Sequence, residues 1–220
     1  MMTMSVEPSV GAESMADRAY HALRRRLVFL DLTPGAPIAE SALSAELGVG
    51  RTPLREALKR LEADHLVVTF ARRGTFASSV DVAELSGISE MRQALVPLAA
   101  RKAARQRGGG VAEELARETG RLEAGRGTGG ARELLEGDLR IHRLLSSASE
   151  NLYLEETLVR LDSLVTRMWC AMLDRIPPMQ EHVLEHVALI RAVLDGEEAR
   201  AERLAGAHVD HFDRVVREVV

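Results

Sequence analysis

Four residues in the second half of the chain are the first to suggest chemistry. Asp138 and His142 are spaced i, i+4, so both project from one helix face about one turn apart. His186 and His208 fall in two later helical runs, separated by Asp195-Gly196. Antiparallel neighbours joined by such a turn could carry both histidines into one layer of a bundle. One aspartate and three histidines suit a first-row divalent ion. The spacing alone leaves their convergence open, because scattered histidines are more often surface or core polar groups. The run His182-Val183-Leu184-Glu185-His186 also matches the H-x-x-E-H pattern, in which two histidines hold zinc and the glutamate activates water. That reading needs a further ligand and a catalytic domain. Histidines at i, i+4 with an acid between them also arise readily in charged helices.

A second stretch, "ELGVGRTPLREALKRLEADHL" from Glu46 to Leu66, crowds Arg51, Thr52, Pro53 and Arg55 behind a Gly-Val-Gly break. Helix starts ordinarily favour acidic residues, because the N-terminal end of the helix dipole is positive. Two arginines there make sense if the tip meets a polyanion. Leu54, Ala57, Leu58 and Leu61 then recur at helical spacing and hold the helix on its own domain. Pro53 is tolerated in the first turn, where its missing N–H would have no partner. A short helix precedes this one, Glu40 to Leu47. After it, Leu66–Phe70 and Thr75–Ser78 read as two short strands flanking Ala71-Arg72-Arg73-Gly74, a hairpin with a basic tip. Two helices across a tight turn followed by a hairpin describe a winged helix-turn-helix. Its second helix enters the DNA major groove with its N-terminal residues toward the bases. Arg51, Thr52 and Arg55 would lie at that tip, and Arg72, Arg73 and Gly74 would form the wing.

The elements that must position these groups are mostly helical. The 220 residues are 46% apolar and only 3% aromatic, so Leu, Val and Ala must fill the core, and the Ala/Leu/Glu/Arg-rich composition favours helix over sheet. Ala16–Leu30 reads as a first helix, with Arg24, Arg25 and Arg26 among its apolar positions. From Asp81 onward no strand is expected. Helices are expected at 81–107, 111–124, 131–149, 152–175, 178–194 and 197–219, separated by Gly108-Gly109-Gly110, Gly125 to Gly130, Asn151, Pro177-Pro178 and Asp195-Gly196. The first of these is expected to split near Gly87, or to kink or restart at Pro97. The domains implied are a flexible tail at 1–15, a winged helix-turn-helix at 16–79 and an all-α antiparallel helical bundle at 80–220. Residues 16–79 carry ten Lys/Arg against seven Asp/Glu, whereas 80–220 carry nineteen against twenty-four, so a polyanion would meet the front. The single cysteine, Cys170, excludes an intrachain disulfide and suits a reducing compartment. No apolar run is long enough to span a membrane, and a cytoplasmic location is expected.

"IAESALSAELGVGRTPLREALKRLEADHLV" followed by "RRGTF" resembles the winged-helix domain of GntR-type bacterial transcription regulators. The resemblance implies recognition-helix contacts from Arg51, Thr52 and Arg55, with Gly74 as the wing glycine. Gly50 stands where the family usually has a small hydroxyl residue, and Ser41 where some members use a DNA-contacting arginine. "EMRQAL" (Glu90–Leu95), "GDLRIHRLLSSASEN" (Gly137–Asn151) and "EHVALIRAVLDGEEARAERLAGAH" (Glu185–His208) resemble the helical effector domain of the FadR-type branch. In that branch an Asp, the His four residues on, and two later His bind zinc, nickel or a similar ion. The matching positions are Asp138, His142, His186 and His208; His182 and His211 do not match and read as bystanders. Arg92 matches an arginine that faces the cavity and can pair an effector's carboxylate. Asn151 resembles a residue near the pocket, although a helix cap suits it equally. Trp169 reads as a packing residue. Val96 departs from a glutamate common at its position.

Together these readings imply a transcription regulator, most often a repressor in this family, and not an enzyme. It would be a homodimer on a palindromic double-stranded DNA operator, controlled by a small carboxylate at a divalent-ion site. Two alternatives stay open at this point: a metal-dependent hydrolase with a DNA-binding appendage, and a regulator whose metal is purely structural.

Overall fold

The protein is described by a computed structural model over residues 13–125, 129–175 and 178–219. It divides into two compact units between Ser79 and Val80. Most of the segment expected as a tail, and residues 126–128 and Pro177 of two expected breakers, lie outside the described residues. The end of that segment already belongs to the first helix. Ser14 caps it in a capping box: Asp17 N–H donates to Ser14 Oγ at 3.0 Å, and Ser14 N–H donates to Asp17 Oδ2 at 3.3 Å.

The first unit runs α1 (Met15–Val28), α2 (Glu40–Leu47), α3 (Arg51–Ala63), β1 (Val67–Phe70) and β2 (Gly74–Ala77). Its core is aliphatic. Helices α1 and α3 pack on each other, and Leu23 and Leu27 of α1 and Leu54, Ala57, Leu58 and Leu61 of α3 are all buried, as are Leu66 and Val67. Truncating one such leucine to alanine typically costs about 2–5 kcal/mol. Helix α2 stops at Gly48, whose left-handed φ of 62° lets the chain turn at once into α3. The two strands pair antiparallel, from Val67 opposite Ala77 to Phe70 opposite Gly74. Gly74 has a φ of +91°, which an L side chain rarely adopts. Pro37 adds an isolated bridge to Phe76, a pairing that the sequence pattern did not reveal.

The second unit is helical among its described residues. A 3-10 turn at Val82–Glu84 leads into α4 (Leu85–Arg105), and a second at Gly109–Val111 leads into α5 (Ala112–Gly125). Then come α6 (Ala131–Ser147), α7 (Leu152–Met172), α8 (Gln180–Leu194) and α9 (Glu198–Val219). Helix α4 runs unbroken through Gly87 and Pro97, against the expectation of a split or restart. Burial explains this: Val96, Ala99, Ala100, Ala103 and Ala104 pack into the core, and α9 lies along α4. Tertiary packing of that face outweighs the hydrogen bond that proline removes. Helices α8 and α9 pack on each other across the turn at Asp195-Gly196, where Gly196 has a φ of 77°. That hairpin brings His186 and His208 level, while α6, packed against α8, presents Asp138 and His142 to the same layer.

Candidate functional site

The four positions singled out as ion ligands come together. One ligand atom from each of Asp138, His142, His186 and His208 lies within 4.8 Å of the other three. His142 Nε2 is 3.2 Å from His208 Nε2, and Asp138 Oδ2 is 3.8 Å from His142 Nε2. Asp138 Oδ1 lies 3.7 Å from His186 Nδ1 and 4.0 Å from His208 Nε2. All four side chains are buried. Burial holds His142 and His208 well below the usual imidazole range, and lowers His186 to about 4. The three rings are therefore neutral, the form that ligates. Burial also pushes the Asp138 carboxyl up to about 7, with Arg92 opposing the shift. Asp138 Oδ1 and His186 Nε2 are buried with no hydrogen-bond partner. Unsatisfied acceptors in a core are costly. A divalent cation satisfies both at once, so the donor set fits the ion.

The surroundings differ in part from expectation. His182 is no remote bystander. Its ring stacks on His208 at 4.1 Å, and its Nε2 is 3.7 Å from Asp138 Oδ1. It nonetheless falls in a different donor group, with Glu185 and His208, so His182 and His186 do not share one ion as the peptidase pattern requires. Arg92 is buried and donates from Nε to Asp162 Oδ1 at 2.8 Å, while its Nη1 meets no acceptor. Trp169 packs against Phe212 at 4.4 Å and His182 at 5.7 Å, and its Nε1–H has no hydrogen-bond partner. Asn151 caps α7, its side chain accepting from Leu154 N–H at 3.3 Å, the cap that the sequence suggested beside a pocket-side role. It lies beyond the far end of α6, nine residues past His142. Asp162 and Glu185 are the residues that sequence reasoning missed. Asp162 stands 70 positions from Arg92 with no spacing signal, and Glu185 drew attention only as the acid of the peptidase pattern.

In the first unit, Arg51, Thr52 and Arg55 are exposed on the first turns of α3, while Leu54, Ala57 and Leu58 of the same helix are buried. Gly50 occupies the N-cap in extended conformation and supplies no side-chain cap. Arg55 Nε donates to Glu40 Oε2 at 3.0 Å, an exposed pair within reach of competition by phosphate. Arg72, Arg73 and Gly74 are exposed at the wing, with Arg72 in left-handed conformation at φ 62°. Arg73 lies over the ring of Phe70 at 5.8 Å. The exposed arginines thus sit on the recognition helix and on the wing of one unit.

Comparison with known proteins agrees with both halves. Residues 15–77 match the family described as "Bacterial regulatory proteins, gntR family", and residues 87–211 match the FCD domain. The Nta operon transcriptional regulator of Aminobacter aminovorans is 31% identical over 194 residues, covering 83% of this chain and 86% of that protein. The HTH-type transcriptional repressor RspR of Escherichia coli (strain K12) is 24% identical over 217 residues, 98% of this chain and 95% of that one. Among solved structures, E. coli McbR/YncC superposes with a TM-score of 0.79 at 19% identity, covering 93% of this chain and 98% of that one, a likeness of fold. With a winged helix-turn-helix in front and an FCD domain behind, the chain belongs to the gntR family of bacterial regulatory proteins and is a DNA-binding transcription regulator, not an enzyme.

Proposed function

We propose that this regulator is a repressor whose operator affinity is set by a small organic acid bound beside a divalent ion in the FCD domain. The observation that carries the reading is the convergence of four neutral-or-acidic donors within 4.8 Å, two of which hold buried atoms with no hydrogen-bond partner. Asp138, His142, His186 and His208 would hold the ion. Nitrogen-rich donors with one carboxylate suit zinc or nickel. When bound, the ion supplies a Lewis-acidic point for a carboxylate. Arg92 Nη1 and Trp169 Nε1 are buried donors in want of an acceptor, and a carboxylate is what each would take.

Arg51, Thr52 and Arg55 would read the operator in the major groove, with Arg72, Arg73 and Gly74 following the adjacent backbone. One winged helix reads few base pairs, so a homodimer on a palindromic operator is implied. That the E. coli relative RspR is a transcriptional repressor supports repression rather than activation. No helix among the described residues is long and apolar enough to cross a membrane, and a DNA target supports a cytoplasmic location. A purely structural ion is the second reading, favoured by the near-complete burial of the donors.

Operator affinity, measured with and without a panel of organic acids, separates the two. The switch reading expects one acid to change affinity in the wild type and to lose that effect in Asp138→Ala. A full response in Asp138→Ala would hand the case to the structural ion.

A further inference from the structure

Glu185 stands on α8 one residue before His186 and reaches across to α9. Its Oε2 lies 2.8 Å from His208 Nδ1, and its Oε1 lies 2.5 Å from His211 Nδ1. A carboxylate oxygen accepts, so at each contact the imidazole donates. His208 then carries its proton on Nδ1. Its Nε2 lone pair is left facing His142 Nε2 at 3.2 Å and Asp138 Oδ1 at 4.0 Å. We infer that Glu185 is a positioning residue for the ion site: by accepting from His208 Nδ1–H it fixes that ring's tautomer and aims Nε2 at the other three donors, and His211 steadies Glu185 in turn. The inference rests on the metal reading above.

Three features favour this role. Both carboxylate oxygens are engaged, one by a buried ring and one by a ring about one-third exposed. The carboxylate therefore has little freedom to rotate away from His208. The opposite face of the site uses another device for the same end: His186 Nδ1 is 3.2 Å from the Val183 carbonyl, which leaves its lone pair on the unpartnered Nε2. Backbone carbonyls and carboxylates are the two acceptors that ordinarily orient metal-binding histidines. Lastly, His182, Glu185 and His208 also place ligand atoms within 4.8 Å of one another. Both donor groups draw on His208, whose Nδ1 meets Glu185 and whose Nε2 faces His142, and two ions held through those two nitrogens would require that imidazole to lose both protons. The positioning role needs only a neutral ring. Glu185 and His211 also line, with Arg214, an open groove of about 590 Å³, so the support of His208 is reached from solvent while the donors stay buried.

The test uses full-length, metal-free protein, in two readouts. Imidazole nitrogen shifts report the tautomer of His208 without any metal. Cobalt(II) titration reports stoichiometry, affinity and, through its visible absorption bands, ligand geometry. Wild type is expected to show His208 protonated on Nδ1 and to bind one cobalt ion per chain. Glu185→Ala should mix the His208 tautomers, shift the cobalt bands and weaken binding by about 10–100-fold. Glu185→Gln, whose amide oxygen can still accept from Nδ1–H, should restore most of the tautomer and part of the affinity. His211→Ala should produce a smaller change in the same direction. Wild-type affinity, bands and tautomer in Glu185→Ala would overturn the inference while leaving the metal reading intact. So would a second cobalt ion per chain that Glu185→Ala removes. Failure of the wild type to bind cobalt, with His186→Ala indistinguishable from it, would overturn the metal reading and this inference with it.

Discussion

Arg92 and Asp162 are joined in the interior of the helical unit, Nε to Oδ1 at 2.8 Å, and each keeps one atom in reserve: Arg92 Nη1 and Asp162 Oδ2 meet no hydrogen-bond partner. The pair therefore holds the guanidinium in place without exhausting it. Burial pushes the Asp162 carboxyl up, and Arg92 pulls it back toward ionisation. An arginine so anchored presents its remaining N–H groups at little conformational cost, which suits a residue awaiting an anion.

The two partners should be unequal to remove singly and together. Arg92→Ala leaves Asp162 buried without its cation, which typically costs about 3–5 kcal/mol. Arg92→Ala combined with Asp162→Ala removes both charges and should recover a large part of that loss. Urea unfolding of the metal-loaded proteins checks this. A single-variant loss no greater than the double's would mean that the pair is solvated in solution.

Ion binding should be one to one. Purified protein should carry about one divalent ion per chain, and chelation should lower its melting temperature, because an ligand bound only by the folded state stabilises it. His186→Ala and His208→Ala should each lose most of the metal. His182→Ala should retain it, since His182 stands outside the four-donor group despite stacking on His208. Metal analysis after dialysis decides; equal loss from His182→Ala would require a different ligand set.

Proton release should accompany ion uptake at mildly acid pH. The folded-state pKa of Asp138 is raised to about 7. This group's contribution to ion-free stability is thus full below the ordinary carboxyl range and lost as pH rises through 7. At pH 6 the carboxyl is mostly protonated, whereas the three histidines are already neutral. Binding an ion at pH 6 should therefore expel about one proton, and at pH 8 almost none. Apparent affinity should rise between pH 6 and 7 and level off above. Calorimetric titration in buffers of different ionisation enthalpy counts the protons, and zero release at pH 6 would mean that Asp138 is already ionised before the ion binds.

Operator binding should depend on the tip of α3 more than on the wing. Arg51→Ala or Arg55→Ala should cost about 1–3 kcal/mol where the side chain contacts a base. Arg73→Ala should cost less and reduce the salt dependence of binding by about one phosphate contact. Equilibrium binding across a salt series on the cognate operator is the measurement. No loss from either helix arginine would displace the interface from α3.

Ligand and operator should be coupled through the ion. A typical coupling of about 1–3 kcal/mol corresponds to roughly a 5–150-fold change in operator affinity. Asp138→Ala should keep the leucine core of the first unit and some DNA binding, yet blunt that change. Arg92→Ala should keep the ion and weaken the acid. Titrating operator at fixed acid concentration for both variants separates these effects.

Much of this architecture was legible in the sequence because it rests on local signals. Glycine at 48 and 74, proline at 53 and leucine spacing in α3 each have a direct conformational meaning, and helix periodicity placed α5 to α9 within a few residues. Pro97 misled as a restart signal for an instructive reason: the residue weakens a helix locally, whereas the buried alanine face that keeps α4 unbroken packs on α9, far along the chain. The site divides the same way. Asp138 and His142 share a helix face, and resemblance supplied the two distant histidines. The partners that orient and charge the site, Asp162 for Arg92 and Glu185 for His208, are set by packing between helices and leave no mark in spacing. Asn151 shows the converse, since its capping of α7 is a local role that the sequence already suggested.

The bare N-terminus of α3 has one more consequence. Gly50 offers no side-chain acceptor, and Pro53 has no N–H, so the amides left at the helix start are those of Arg51 and Thr52. A DNA phosphate seated there would take the place of the missing cap. The first turn of the recognition helix should then fray in free protein and tighten on the operator. Amide hydrogen exchange at Arg51 and Thr52 should slow on DNA binding, while exchange at the middle of α3, already locked by Leu54 and Leu58, stays unchanged. In this chain the nucleic acid itself would complete the helix that reads it.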